Sequence, residues 1–160
     1  MDRTAYFNDM MYRLEELLFH ELSGMAAWKV EFIGVDFIQS KDIKGDTGDE
    51  IIQNTIKEIV DAGLVKEMSY AVKGRGILLR LNMKGCIHMP KEIRLKQDKI
   101  KPFVCPITYM VLDQLIEKLG YETTYLAGLD IDEEAGECRA HCAIYENPDK
   151  IGLVCDWNEE

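Results

Sequence analysis

Cysteines are the residues in this chain best suited to chemistry. Cys86, Cys105, Cys138, Cys142 and Cys155 all fall in its second half, and no two form a Cys-x-x-Cys. Zinc takes four N, S or O donors in a tetrahedron at about 2.0–2.3 Å, and thiolates suit it. Four thiolates also hold an iron–sulfur cluster. Cys86, Cys105, Cys138 and Cys142 would supply the four, with Cys155 a bystander. The competing reading makes them small buried hydrophobes, because free cysteine is among the most buried residue types. On a straight strand rising about 3.3 Å per residue, Cys138 and Cys142 stand roughly 13 Å apart, so one ion reaches both only if the turn folds Cys138 back. Cys105 has a second possible chemistry. It precedes Pro106 and an apolar run at helical spacing, Ile107, Met110, Val111, Leu115 and Leu119. A thiol at a helix start lies near the positive dipole end, which favours the thiolate and a nucleophilic role. His88 and His141 lie near Cys86 and Cys142 in sequence, and each reads first as a surface or hydrogen-bonded imidazole and second as a ligand. His20 reads as structural.

A second group could line a cavity. Trp28, Phe32, Phe37, Tyr70, Tyr109 and Tyr125 are the candidates, since small-molecule sites are apolar with a few placed polar groups. Most aromatics of this kind are simply core. The basic run Lys91, Arg94, Lys96, Lys99 and Lys101 reads as a solvated loop, or as an attractor for an anionic ligand or acidic partner. Lys73-Gly74-Arg75-Gly76 is a turn and not a phosphate loop, because no helix follows it.

These residues need elements to position them. Thr4 to Leu22 predicts a helix whose stripe is Phe7, Met10, Met11, Leu14, Leu17, Leu18 and Glu21. Met25 to Ile38 predicts a second helix. Thr47 or Asp49 caps a third, roughly Glu50 to Ala62, with stripe Ile51, Ile52, Thr55, Ile56 and Ile59, ended by Gly63. Leu64–Val72 and Ile77–Met83 form a hairpin. Lys91 to Lys101 predicts a basic stretch with a short strand at its start. The Cys105–Leu119 helix ends at Gly120. Gly120–Ile131 and Cys138–Tyr145 form the last hairpin, and Ile151–Cys155 adds an edge strand. The fold class is therefore α+β: N-terminal helices packed on an antiparallel sheet of two hairpins with one helix between them. One domain spans residues 1–160, with a helical N-terminal region over 1–63, a hairpin–helix–hairpin region over 64–155 and an acidic tail over 156–160.

Composition sets limits on function. Apolar residues make up 47% of the 160, as in a folded globule. A formal charge of −10 argues against nucleic acid as the main partner. No apolar run reaches membrane-span length. Five cysteines without a signal peptide fit a reducing cytoplasm.

Taken in order, the elements resemble the 4-vinyl reductase domain family, a small ligand-binding domain also found in phenol- and xylene-sensing activators and vesicle-tethering subunits. The likeness runs from about Leu14 to Glu146. It rests on Gly24, Ala26, Ala27 and Gly34, on Ala62-Gly63-Leu64 before the first hairpin, on Cys105 before its helix, and on the run from Glu133 to Cys142. In the sensor members a Cys before the helix, a Glu and two Cys of the final hairpin hold zinc. The resemblance thus implies Cys105 and Cys142 as ligands, Cys138 with altered spacing, and one of Glu133, Glu134 and Glu137, with Glu134 the first choice, as the carboxylate that replaces Cys86. It also implies pairing through helices, hence a homodimer. The leading expectation is a non-catalytic sensor or carrier of a small apolar or aromatic molecule, with a zinc or iron–sulfur centre near the cavity. One alternative is a small hydrolase similar to amino-thiazoline carboxylate hydrolases, with Cys105 as nucleophile. Another is a winged-helix regulator, with Ile51–Leu64 as recognition helix and the first hairpin as wing.

Overall fold

The computed structural model describes residues 2–22, 34–74, 78–100 and 105–146, excluding the side chains of 123–128. It is α+β, with helices and a four-stranded antiparallel sheet. The elements are α1 (Arg3–Leu22), α2 (Val35–Gln39), α3 (Gly48–Asp61), β1 (Glu67–Lys73), β2 (Leu78–Lys84), α4 (Met89–Gln97), α5 (Pro106–Leu119), β3 (Glu122–Asp132) and β4 (Glu137–Tyr145). Sheet order is β1-β2-β4-β3, so the two hairpins join along β2 and β4.

Local chemistry sets the ends of α3. The Thr47 hydroxyl accepts from the Glu50 N–H at 3.3 Å, and the Glu50 carboxylate accepts from the Thr47 N–H at 3.2 Å, a reciprocal capping box. The Asp46 N–H also donates to Glu50, and these bonds hold its carboxyl below the usual range. The buried face of α3 is Ile51, Ile52, Thr55, Ile56 and Ile59, the face its spacing predicts. On α5, Cys105 is the N-cap, Pro106 opens the helix, and Gly120 closes it at φ 65°. That left-handed conformation costs glycine little.

Together α3 and α5 cover the inner face of the sheet. Paired residues on adjacent strands share a face, so Met83 opposite Cys138, Leu81 opposite Ala140 and Leu79 opposite Cys142 all point into the main core. The outer face carries Ser69, Asn82, Arg139 and Asp130 in one row, and Glu67, Lys84, Glu137 and Asp132 in another. An open groove of about 470 Å³ runs over these two rows on β1, β2 and β4.

Two regions differ from the pattern in the sequence. Lys91–Gln97 belongs to helix α4, not to a strand and solvated loop. Pro90 opens this helix as Pro106 opens α5, so two helices lie between the hairpins. The buried face of α1 is Asn8, Met11, Tyr12 and Glu15. Its expected stripe lies largely outward: Met10, Leu14 and Leu17 are 48%, 45% and 57% exposed, and Tyr6 is 56% exposed. α1 packs on α4, and that helix offers it polar partners beside Leu95. Of the expected second helix, Val35–Gln39 is helical and residues 25–33 lie outside the described residues. The expected edge strand Ile151–Cys155 and the acidic tail also lie outside them.

Candidate functional site

The four cysteines of the expected metal centre are all free and buried, and they belong to one core cluster. Cys86 lies just past the end of β2, and Cys105 caps α5. Cys138 and Cys142 sit four residues apart on the inner face of a β4 that pairs with β2 without a bulge between them. The Cys86 and Cys138 thiols are hydrogen-bonded to each other. Because β4 stays straight here, Cys138 is not folded back toward Cys142, and their spacing remains roughly 13 Å along the strand. Glu134, the alternative ligand, is exposed in the β3–β4 turn. Among the described residues no three His, Cys, Asp or Glu side chains are arranged to hold one metal ion. As placed, the expected donors do not fit a zinc or iron–sulfur site.

Electrostatics around the thiols oppose the thiolate. Cys105 is 1% exposed. Burial pushes its thiol up, and nearby Glu92 and Cys86 add to the effect. The Cys138 hydrogen bond, then burial, raises Cys86. Burial and Cys105 push Cys142 up to about 12. The helix-start argument for a Cys105 thiolate is therefore overturned: a dipole end contributes a fraction of a charge, whereas complete desolvation disfavours the whole anion.

Beside the thiols lies a cluster that the spacing of the cysteines does not announce. Lys91 is 1% exposed. Its Nζ donates to Glu15 Oε1 of α1 at 2.7 Å and to Glu92 Oε1 of α4 at 3.0 Å. Asn8 locks the two helices together, donating to the Ile87 carbonyl at 2.8 Å and accepting from the Lys91 N–H at 3.2 Å. His88, the N-cap of α4, is buried against the Phe7 ring. Farther along, the Tyr12 hydroxyl donates to Asp98 at 2.6 Å beneath the Arg94 guanidinium, 3.6 Å above the ring centroid.

Two carboxyl groups on one ammonium would leave an excess negative charge in a buried site if both were ionised. Burial resolves this by pushing Glu92 up to about 8, against the pull of Lys91. Burial also raises Glu15. On Lys91, burial acts to lower and the two carboxylates to raise, and the carboxylates prevail. Burial, then Lys91, lowers His88 to about 4, so its imidazole is neutral at pH 7. Three buried atoms here have no hydrogen-bond partner among the described residues: Glu15 Oε2, Glu92 Oε2 and His88 Nδ1. Buried polar atoms are nearly always paired, so such a group in one place calls for water, an ion or a ligand. Sequence reasoning missed Glu15 and Glu92, and it placed Lys91 in a basic run read as a solvated loop or an attractor for an anionic ligand or acidic partner. The signals that could have found them were Pro90 as a helix start and the spacing of Asn8, Met11, Tyr12 and Glu15 on one helix face.

The predicted cavity aromatics are placed differently. Phe37 on α2 is partly buried against the main core, with the Lys41 ammonium 5.0 Å over its ring. Tyr70 on β1 packs on the same core and donates its hydroxyl to Asp49 while accepting from Gln53 at 3.2 Å. Tyr109 is half-buried on α5. Trp28 and Phe32, and the side chain of Tyr125, lie outside the described residues. Phe37, Tyr70 and Tyr109 do not line the outer-face groove, whose walls include Glu67, Ser69, Asn82, Lys84, Glu137 and Arg139. Lys84 and Glu137 face each other there at 3.9 Å.

No protein-family model, curated protein or solved structure matches the chain. Among the described residues no helix is long and apolar enough to cross a membrane.

Proposed function

We propose that the chain is a non-catalytic small-molecule-binding domain, a sensor or carrier, whose ligand is read at the buried seam between α1 and α4. One observation carries this reading: Glu15 Oε2, Glu92 Oε2 and His88 Nδ1 hold unused hydrogen-bonding capacity in a buried site. A fitting ligand has an apolar or aromatic body and one hydrogen-bond donor for a carboxyl oxygen, as in a phenol. The reading involves no metal, and Cys86, Cys105 and Cys142, whose thiols are all pushed up, serve as core groups. Four free thiols are at home in a reducing cytoplasm.

The alternatives draw less support. A cysteine hydrolase needs an accessible thiolate, and Cys105 is buried with its thiol pushed up. A winged-helix regulator needs a basic recognition helix. The exposed face of α3 instead carries Asp49, Glu50, Glu58 and Asp61 against Lys57.

Phenol and toluene titrations, followed by melting temperature and calorimetry, test the proposal. Phenol should bind saturably and raise the melting temperature. Toluene, which lacks the donor, should do so less, and Glu92→Leu should abolish the difference. A wild-type protein indifferent to both probes would sink the reading.

A further inference from the structure

The groove on the outer face of the sheet, about 470 Å³, holds two carboxylates and two cations, Glu67, Glu137, Lys84 and Arg139. Its middle is satisfied across strands. Lys84 of β2 pairs with Glu137 of β4 at 3.9 Å, and Asn82 Nδ2 of β2 donates to Ser69 Oγ of β1 at 3.4 Å. The other two charges stand at opposite corners. Glu67 lies on β1 in the row of Lys84 and Glu137, and Arg139 lies on β4 in the row of Ser69 and Asn82. Both are exposed, and among the described residues neither side chain makes a hydrogen bond or an ion pair. Asp130, the cross-strand neighbour of Arg139, reaches His141 instead, at 3.5 Å.

We propose that this groove binds a short zwitterionic peptide of about three residues, its terminal ammonium on Glu67 and its terminal carboxylate on Arg139. The charges select that class. A phosphate would meet two carboxylates along with the cations, and a polyamine would meet two cations along with the carboxylates. A neutral molecule with opposite charges at its two ends satisfies both corners and leaves the Lys84–Glu137 pair intact. The spacing sets the length. Glu67 and Arg139 are two strands and two residues apart, so their Cα atoms are separated by roughly 12 Å. Three extended residues span about 10 Å, and the flexible Glu and Arg side chains close the remainder. The guanidinium can take a carboxylate through two parallel N–H donors. Between the corners, Asn82 has an amide oxygen and a second amide hydrogen beyond its bond to Ser69, an acceptor and a donor that complement a peptide group. None of these groups belongs to the α1–α4 seam, so the proposal stands or falls separately from the phenol reading.

Backbone amide chemical shifts of the full chain, followed while triglycine is added at neutral pH, test it. The expected result is saturable shifts at Ser69, Asn82 and Arg139 with a Kd of about 1–10 mM, as suits exposed charge pairs. N-acetyl-triglycine lacks the ammonium and triglycine amide lacks the carboxylate, and each should bind about tenfold more weakly. Glycine, too short to reach both corners, should bind more weakly than triglycine. Glu67→Gln should erase the difference between triglycine and its acetylated form, and Arg139→Gln the difference between triglycine and its amide. Both positions are exposed, so each variant should keep the wild-type circular dichroism spectrum. Absence of saturable shifts in the wild-type protein would overturn the proposal. So would saturable shifts confined to residues outside the groove, or equal affinity for the three tripeptides.

Discussion

Two buried regions of this protein meet at Cys86 and Cys105 and are built on opposite principles. The inner face of the sheet, with α3 and α5, is a dry core in which thiols sit among Ile, Leu and Met and stay protonated. The seam between α1 and α4 is equally buried, yet it holds an ammonium, two carboxyls, an imidazole and an asparagine amide. The core is stabilised by area removed from water and depends little on the identity of any one side chain. The seam depends on pairing: each charge is tolerable only while its partner is present. The proposed site therefore uses the polar groups held at a cost beside the cysteines.

Breaking the seam should show this contrast most strongly. Lys91→Met strands two buried carboxyls and should destabilise by about 3–5 kcal/mol in urea unfolding. Replacing the set with Glu15→Leu, Lys91→Met and Glu92→Leu should return most of that stability while removing any response to phenol. If the triple variant is as unstable as Lys91→Met alone, the charges are not the reason the site is costly.

The pH dependence of stability is the next effect in size. Burial raises the folded Glu92 carboxyl from 4.5 to about 8, so between those values the folded state holds a proton that the unfolded state has lost. Stability therefore falls as pH rises through this window. His88 opposes it lower down: its folded value is depressed from 6.5 to about 4, so its contribution is full above 6.5 and lost as pH falls. The clear interval runs from pH 6.5 to 8, where Glu92 should lower stability by up to about 2 kcal/mol. Lys91 and Glu92 from α4, Glu15 from α1, and Cys86 and Cys105 beside them set this environment. Glu92→Gln should flatten the slope, and a wild-type stability constant across the interval would contradict the assignment.

Changes in the thiol core should be smaller. Cys142→Ala removes a small buried hydrophobe and should cost about 1 kcal/mol. Cys105→Ser should cost a similar amount, with the same change in melting temperature whether or not a chelator is present. If Cys105→Ser instead releases stoichiometric zinc or iron, the metal centre implied by the cysteines is restored. Smallest of all, iodoacetamide should modify Cys86, Cys105, Cys138 and Cys142 in the native protein only as fast as it unfolds. Rapid alkylation of Cys105 at neutral pH would point back to a nucleophile.

Much of the fold was legible because it rests on short-range rules. The Thr47 capping box, the isoleucine stripe of α3, the Cys105-Pro106 start and Gly120 end of α5, and both hairpins follow from residue type and spacing. So does the placing of Cys138 and Cys142 on one strand face. Tertiary structure alone decided which face of α1 is buried. Its apolar stripe was evident, but burial goes to the side that α4 and its entry can satisfy: Lys91 of α4 pairs with Glu15, and the Ile87 carbonyl just before the helix accepts from Asn8. Periodicity reports that a helix has two faces; it does not report which one a distant segment can pair with. The same limit applies to the thiols. Their number and types permit a metal centre, but donor convergence depends on backbone placement across three separate elements, and here β4 runs straight where a ligand set would require it to bend.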